Sequence, residues 1–177
     1  VSASQKNIQE FCRVAALCNE AKVDIKAGKV ERFGEPTEAA CVVIVEKLGC
    51  PDDSLNSKFF QKGVERGDGN GMGFIDNYWD KGTTRQALLE FNRDRKSMSV
   101  ITQLAGNSKN SLLCKGAPES VLERCTTYML PDGSTASLDA GMKKKLNDSI
   151  NNMAADALRT LAFAVKHDLG PLATYNG

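Results

Sequence analysis

The stretch Gln86-Ala87-Leu88-Leu89-Glu90-Phe91-Asn92-Arg93-Asp94-Arg95-Lys96-Ser97-Met98-Ser99-Val100-Ile101-Thr102-Gln103-Leu104 decides the fold. Leu89 and Phe91 stand two apart, and Met98, Val100, Thr102 and Leu104 repeat that spacing. A period of two is the signature of a β-strand with one face buried. Leu113 and Lys115 continue the pattern. Adjacent strands joined by short connections predict an antiparallel sheet.

On the N-terminal side, Ile8, Phe11, Cys12, Ala15 and Cys18 recur at helical spacing and predict a helix with one buried face that ends near Asn19. Lys22 to Phe33 reads as two short extended segments around Ala27-Gly28. Gly34-Glu35-Pro36-Thr37-Glu38 sets a turn, a proline at the first helical position and an acid in the first turn. A buried helix follows over Ala39 to Leu48 and closes at Gly49. Residues 51–85 carry the weakest pattern, and Gly67-Asp68-Gly69-Asn70-Gly71 reads as part of a flexible glycine-rich insertion.

On the C-terminal side, Pro118 to Arg124 reads as a short helix. Thr126 to Leu130 and Thr135 to Leu138 read as a hairpin around Pro131-Asp132-Gly133. Asp139 caps a long helix with Met142, Leu146, Ile150, Met153 and Ala157 on its apolar face. Leu158 to Val165 reads as a last strand. The expected fold class is α+β: a twisted antiparallel sheet of about five to seven strands flanked by helices, in one domain over residues 1–177.

Composition narrows the function. A formal net charge of +1 exerts no global pull on nucleic acid or anionic lipid, so anion binding must be local. The six cysteines are dispersed and several lie in apolar patterns, which suits reduced core thiols better than a disulfide framework. With His167 the only histidine and no CxxC pair, a zinc site and a histidine-based hydrolase triad lack their parts. No GxxxxGK[ST] loop and no GxGxxG after a strand is present.

Local chemistry lies at the strand ends. If the strand continues, Phe91 and Arg93 face one side, where a ring stacks on a base and a guanidinium reaches a phosphate. Lys96 and Met98 repeat the pairing on the next strand. Lys115-Gly116-Ala117-Pro118 places a cation, a bare backbone and a helix start together. The plainer alternative is that Phe91 is core, the cations are a solvated strand end and Glu38 merely complements its helix dipole. Arg159, at the start of the last apolar run, is open to both readings.

Ala16-Leu17-Cys18-Asn19, Gly34-Glu35-Pro36-Thr37-Glu38-Ala39-Ala40, Phe91 through Val100, Lys115-Gly116-Ala117-Pro118-Glu119 and Leu158-Arg159-Thr160-Leu161-Ala162 resemble, in order, the nucleotide-binding domain of P-type cation ATPases. The Arg-Asp-Arg-Lys-Ser-Met wording is similar to that of sarco/endoplasmic reticulum calcium pumps. The resemblance implies ATP as ligand, with adenine stacked on Phe91 near Lys115, Glu38 close to the base, and Met98 and Leu161 in apolar contact. It implies Arg93 and Arg159 at the phosphates, with Lys96, Gly116 and Ala117 lining the pocket.

The family's phosphorylated Asp-Lys-Thr-Gly sequence is absent, as are its Thr-Gly-Glu-Ser and Gly-Asp-Gly-x-Asn-Asp segments. No catalytic residue is therefore expected in this chain. The γ-phosphate would be presented to a separate phosphorylation domain, which would also contribute Mg2+, with the actuator domain of the same longer chain as a further partner. The expected setting is a monomeric cytosolic domain of an endoplasmic or sarcoplasmic reticulum membrane pump. The rival reading is a noncatalytic α+β domain whose basic strand end docks an acidic partner or RNA; it predicts binding that falls steeply with salt.

Overall fold

The computed structural model describes residues 1, 4–26, 29–60 and 73–176. Its centre is a four-stranded antiparallel sheet in the order β3-β4-β5-β8, formed by β3 (Thr84–Asn92), β4 (Ser97–Gln103), β5 (Asn110–Gly116) and β8 (Ala162–Lys166). Two hairpins stand apart from it: β1 (Lys22–Lys26) with β2 (Lys29–Phe33), and β6 (Thr127–Met129) with β7 (Thr135–Ser137). The fold is α+β, and among the described residues eight strands are divided between one sheet and two ribbons rather than joined in one.

Helix α1 (Lys6–Leu17) lies between the sheet and α2 (Pro36–Leu48) and buries both of its sides. Val14, Leu17 and Cys18 pack with Met98, Val100, Leu104 and Leu113 of the sheet. Cys12, Ala15 and Ala16 pack with Cys41, Val45, Cys50, Phe74 and Trp79. Small residues on α1 permit this double contact. All six cysteines are free thiols, and burial pushes those of Cys12 and Cys18 up to about 12.

Helix α2 starts with Pro36 in its first turn and ends at Gly49, whose φ of 72° is left-handed. In the region read as an insertion, α3 (Asp53–Phe60) and a π-helical turn (Ile75–Trp79) are ordered elements, and Gly67 to Gly71 lie outside the described residues. The chain enters that turn against Glu46. This buried carboxylate accepts from the amides of Gly73 (3.0 Å), Phe74 (3.2 Å) and Ile75 (3.1 Å). Three N–H donors at a helical start satisfy a charge that would otherwise be costly to bury. Phe59 meets Phe74 edge-on with ring centroids 5.0 Å apart, and Trp79 Nε1 donates to Gly49 O.

Helix α4 (Pro118–Arg124) follows β5 directly, and α5 (Ala140–Ala155) begins at Asp139, whose carboxylate accepts from Met142 N at 2.7 Å. No residue of α5 is fully buried, so its apolar positions lie only partly covered. The last strand starts later than its apolar run suggests. Ala157 takes φ 58° where α5 ends, and residues 158–161 form a connection before β8 begins at Ala162. Among the described residues no helix is long and apolar enough to cross a membrane.

Candidate functional site

One row of residues across the sheet organises the site. Leu89 pairs with Ser99 and Asn92 with Ser97, so Glu90 and Phe91 together oppose Met98 in a bulge that adds one residue to β3. Met98 in turn pairs with Lys115, and Lys115 with Phe163. Phe91, Met98 and Lys115 therefore lie along a single line across three strands. Asn92 shares a face with its partner Ser97, so by strand alternation Phe91 takes the opposite face, that of Met98 and Lys115. The Phe91 ring is 63% exposed, whereas Met98 and Lys115 are buried.

This end of the sheet face lies beside the C-terminus of α1 and the first turn of α2. Cys18 Sγ donates to Met98 O at 3.6 Å, closing the row from the α1 side. From α2, Glu38 Oε1 accepts from Lys115 Nζ at 2.6 Å, with side-chain exposures of 7% for the lysine and 16% for the glutamate. Each charge answers the other, so neither is buried alone. The segment before β8 reaches the same turn: Arg159 Nη1 donates to Thr37 Oγ1 at 3.2 Å, and Leu161 packs on the core around α1 and α2.

Gly116 and Ala117 stand at the next row, where Gly116 faces Ser97 and Ala162. A Cβ on Gly116 would meet Lys96 O at 2.4 Å and Ser97 Cα at 2.8 Å. The bare backbone here is required by the neighbouring strand itself. Ala117 N donates to Lys96 O at 2.9 Å.

Two sequence expectations are corrected here. β3 ends at Asn92, so Arg93 belongs to the exposed turn and does not continue the alternation from Phe91. Lys96 does not share a strand face with Met98. Its φ of 49° is left-handed, Ser97 is the first residue of β4, and the exposed Lys96 side chain reaches Glu119 Oε1 at 3.3 Å. The Glu119 carboxyl lies below its ordinary range, held there first by its own backbone amide and then by Lys96. The site thus gathers Phe91, Met98, Lys115, Glu38, Gly116 and Ala117 closely, with Arg159 and Leu161 beside α2 and with Arg93 and Lys96 on the turn.

Residues that sequence reading left without a role hold this arrangement. Buried Asn19 donates to Ala15 O (3.1 Å) and Glu38 O (3.0 Å) and accepts from Ala21 N (2.8 Å), tying the end of α1 to the turn that carries Glu38. Arg85 Nη2 donates to Leu17 O and Asn19 O, a cation at the negative end of α1. Neither is visible in local periodicity; only the Cys18-Asn19 pair within the family-like segment hinted at Asn19. A groove of about 360 Å³ lined by Phe11, Val14, Leu122, Met129, Phe163 and Val165, among others, lies on another part of the surface and includes none of the predicted site residues.

Residues 7–172 match the family model described as P-type ATPase, cytoplasmic domain N. The chain belongs to this family. Calcium-transporting ATPase 4, endoplasmic reticulum-type, of Arabidopsis thaliana is 40% identical over 171 residues, covering 97% of this chain. Calcium-transporting ATPase 2, endoplasmic reticulum-type, of the same plant is 37% identical over 172 residues, covering 96%. The endoplasmic reticulum calcium ATPase srcA of Aspergillus fumigatus is 34% identical over 172 residues, again covering 96%. This N domain spans 15%, 16% and 17% of those three proteins, respectively.

Proposed function

We propose that this N domain binds ATP through its adenosine moiety and presents the γ-phosphate to the phosphorylation domain of a calcium-transporting pump of the endoplasmic reticulum type. The observation that carries this reading is the row in which an exposed Phe91 ring stands in line with buried Met98 and the Lys115–Glu38 pair. An exposed ring beside an apolar side chain offers a stacking platform, and a paired lysine and glutamate supply a donor and an acceptor for a base edge. Arg93 and Arg159 would meet the phosphates, Lys96, Gly116 and Ala117 would line the phosphate side, and Leu161 would close the apolar side.

Hydrolysis, ion movement and contact with actuator and phosphorylation domains belong to the longer parent protein in this proposal, at a reticulum membrane. Among the described residues no group of three or more His, Cys, Asp or Glu is placed to hold a metal, and in this proposal Mg2+ would be contributed through the phosphorylation domain.

The test is titration with ATP and GTP at two salt concentrations, followed by backbone resonances. Changes at Phe91, Met98 and Lys115 with ATP preferred to GTP support the reading; no change at millimolar ATP refutes it. Stacking on an aromatic is worth about 1–3 kcal/mol, so Phe91→Ala should weaken ATP by a factor of roughly 5 to 150. The exposed ring can be removed with little loss of stability. Binding blind to the base and abolished by salt would instead favour a docking surface for an acidic partner or RNA.

A further inference from the structure

We propose that Arg124, which is not among the residues assigned to the nucleotide, is a positioning residue that sets the gap between the two halves of the proposed ATP site. The inference rests on that functional reading and adds to it the part that holds the site's shape.

Arg124 ends α4 and reaches back across the sheet edge with both arms of its guanidinium. Nη1 donates to Ser97 Oγ at 3.0 Å and Nη2 donates to Arg95 O at 2.8 Å. These acceptors flank Lys96 on either side. Lys96 carries a left-handed φ of 49°, a conformation that a residue with a Cβ keeps only when its surroundings impose it. Several bonds fix the same turn: Lys96 N donates to Asn92 O at 2.7 Å, Asn92 Oδ1 accepts from Asp94 N and Arg95 N, and Ala117 N donates to Lys96 O.

Arg124 joins this turn to α4 by two hydrogen bonds, beside the exposed Lys96–Glu119 pair that spans the same gap, and α4 continues directly from Lys115-Gly116-Ala117. The guanidinium therefore adds a fixed side-chain brace to the backbone pairing that already joins the segment bearing Phe91, Arg93 and Lys96 to the segment bearing Lys115, Gly116 and Ala117. The fork matters more than the charge. Two acceptors at separate positions, one a hydroxyl and one a carbonyl, match the planar geometry of Arg, which the single ammonium of Lys lacks.

The experiment uses the full 177-residue chain as wild type, Arg124→Lys, Arg124→Gln and Ser97→Ala. It measures ATP affinity by titration and, without nucleotide, hydrogen exchange at the amides of Lys96 and Ala117. Arg124→Gln should weaken ATP about tenfold and speed exchange at both amides, the scale of losing hydrogen bonds from a charged donor. Arg124→Lys should be as weak as Arg124→Gln, and Ser97→Ala, which removes one acceptor, should show a smaller change in the same direction. Full affinity in Arg124→Lys would mean that charge alone acts and would overturn positioning.

Unchanged exchange in Arg124→Gln would overturn the clamp whatever ATP does. If the wild type ignores ATP, the functional reading fails, while the exchange measurement still decides whether the clamp exists. Should Arg124→Gln lose its cooperative unfolding, Ser97→Ala carries the test, and an unaltered Ser97→Ala would then refute it.

Discussion

Replacing Glu38 with Gln probes the charge pair at the centre of the site. In the folded chain the Lys115 side chain is 7% exposed and that of its partner Glu38 16% exposed, with Nζ and Oε1 2.6 Å apart. Removing one partner of a fully buried pair costs ~3–5 kcal/mol, most of it the penalty of stranding the other charge. Glu38 keeps some access to water, and the amide oxygen of Gln still accepts one hydrogen bond, so the expected loss is ~2–3 kcal/mol. Lys115→Met should cost a similar amount by stranding the carboxylate. The double variant should lose less than the sum, by ~1–2 kcal/mol, because neither charge is then left alone. Urea unfolding without nucleotide, followed through the buried Trp79, measures each corner of the cycle. Raising salt should leave the coupling largely intact, since a pair this enclosed is weakly screened. Single losses below ~0.5 kcal/mol that simply add would refute the claim that the pair is enclosed and coupled.

Gly116→Ala should destabilise by ~1–3 kcal/mol, because its Cβ would meet backbone atoms of Lys96 and Ser97; chemical denaturation reads the loss. Glu46→Gln keeps the shape but removes the charge that three amides share, and should cost ~2 kcal/mol with altered Trp79 emission. Cys12 and Cys18 should resist alkylation in native chain at pH 8 and react once urea unfolds it. Because burial raises these thiols from 9.0 to about 12, the unfolded chain loses their protons first. Their contribution to stability is full below pH 9 and declines as pH climbs toward 12, which a pH series of melting midpoints would show.

Elements whose signals are local were legible in the sequence. Pro36 and Gly49 bracket α2, Asp139 caps α5, and the period of two locates β3, β4 and β5. What escaped depends on partners far along the chain. Phe74 and Trp79 enter the core because Glu46 and Gly49, some thirty residues earlier, receive the π-helical turn through hydrogen bonds. Strand patterning assumes an even register, and the extra residue opposite Met98 breaks it just before Arg93. The left-handed Lys96 is imposed by the turn and by α4, and lysine itself gives no sign of it. Of the residues singled out at the strand ends, Met98 and Lys115 pair across neighbouring strands, while the pairing of Lys115 with Glu38 spans 77 positions and has no local signature.

The contact of Phe59 with Phe74, together with the grip of Glu46 on the amides from Gly73 to Ile75, has a consequence for how this domain can vary. Phe59 at the end of α3 is held by the ring of Phe74, and Gly73 to Ile75 are held by the Glu46 carboxylate of α2. Loop-closure entropy rises by only about 0.6 kcal/mol for each doubling of the chain between two fixed points. Sequence added between these two anchors should therefore leave the sheet row through Phe91, Met98 and Lys115 in its form, since each anchor has its own partner.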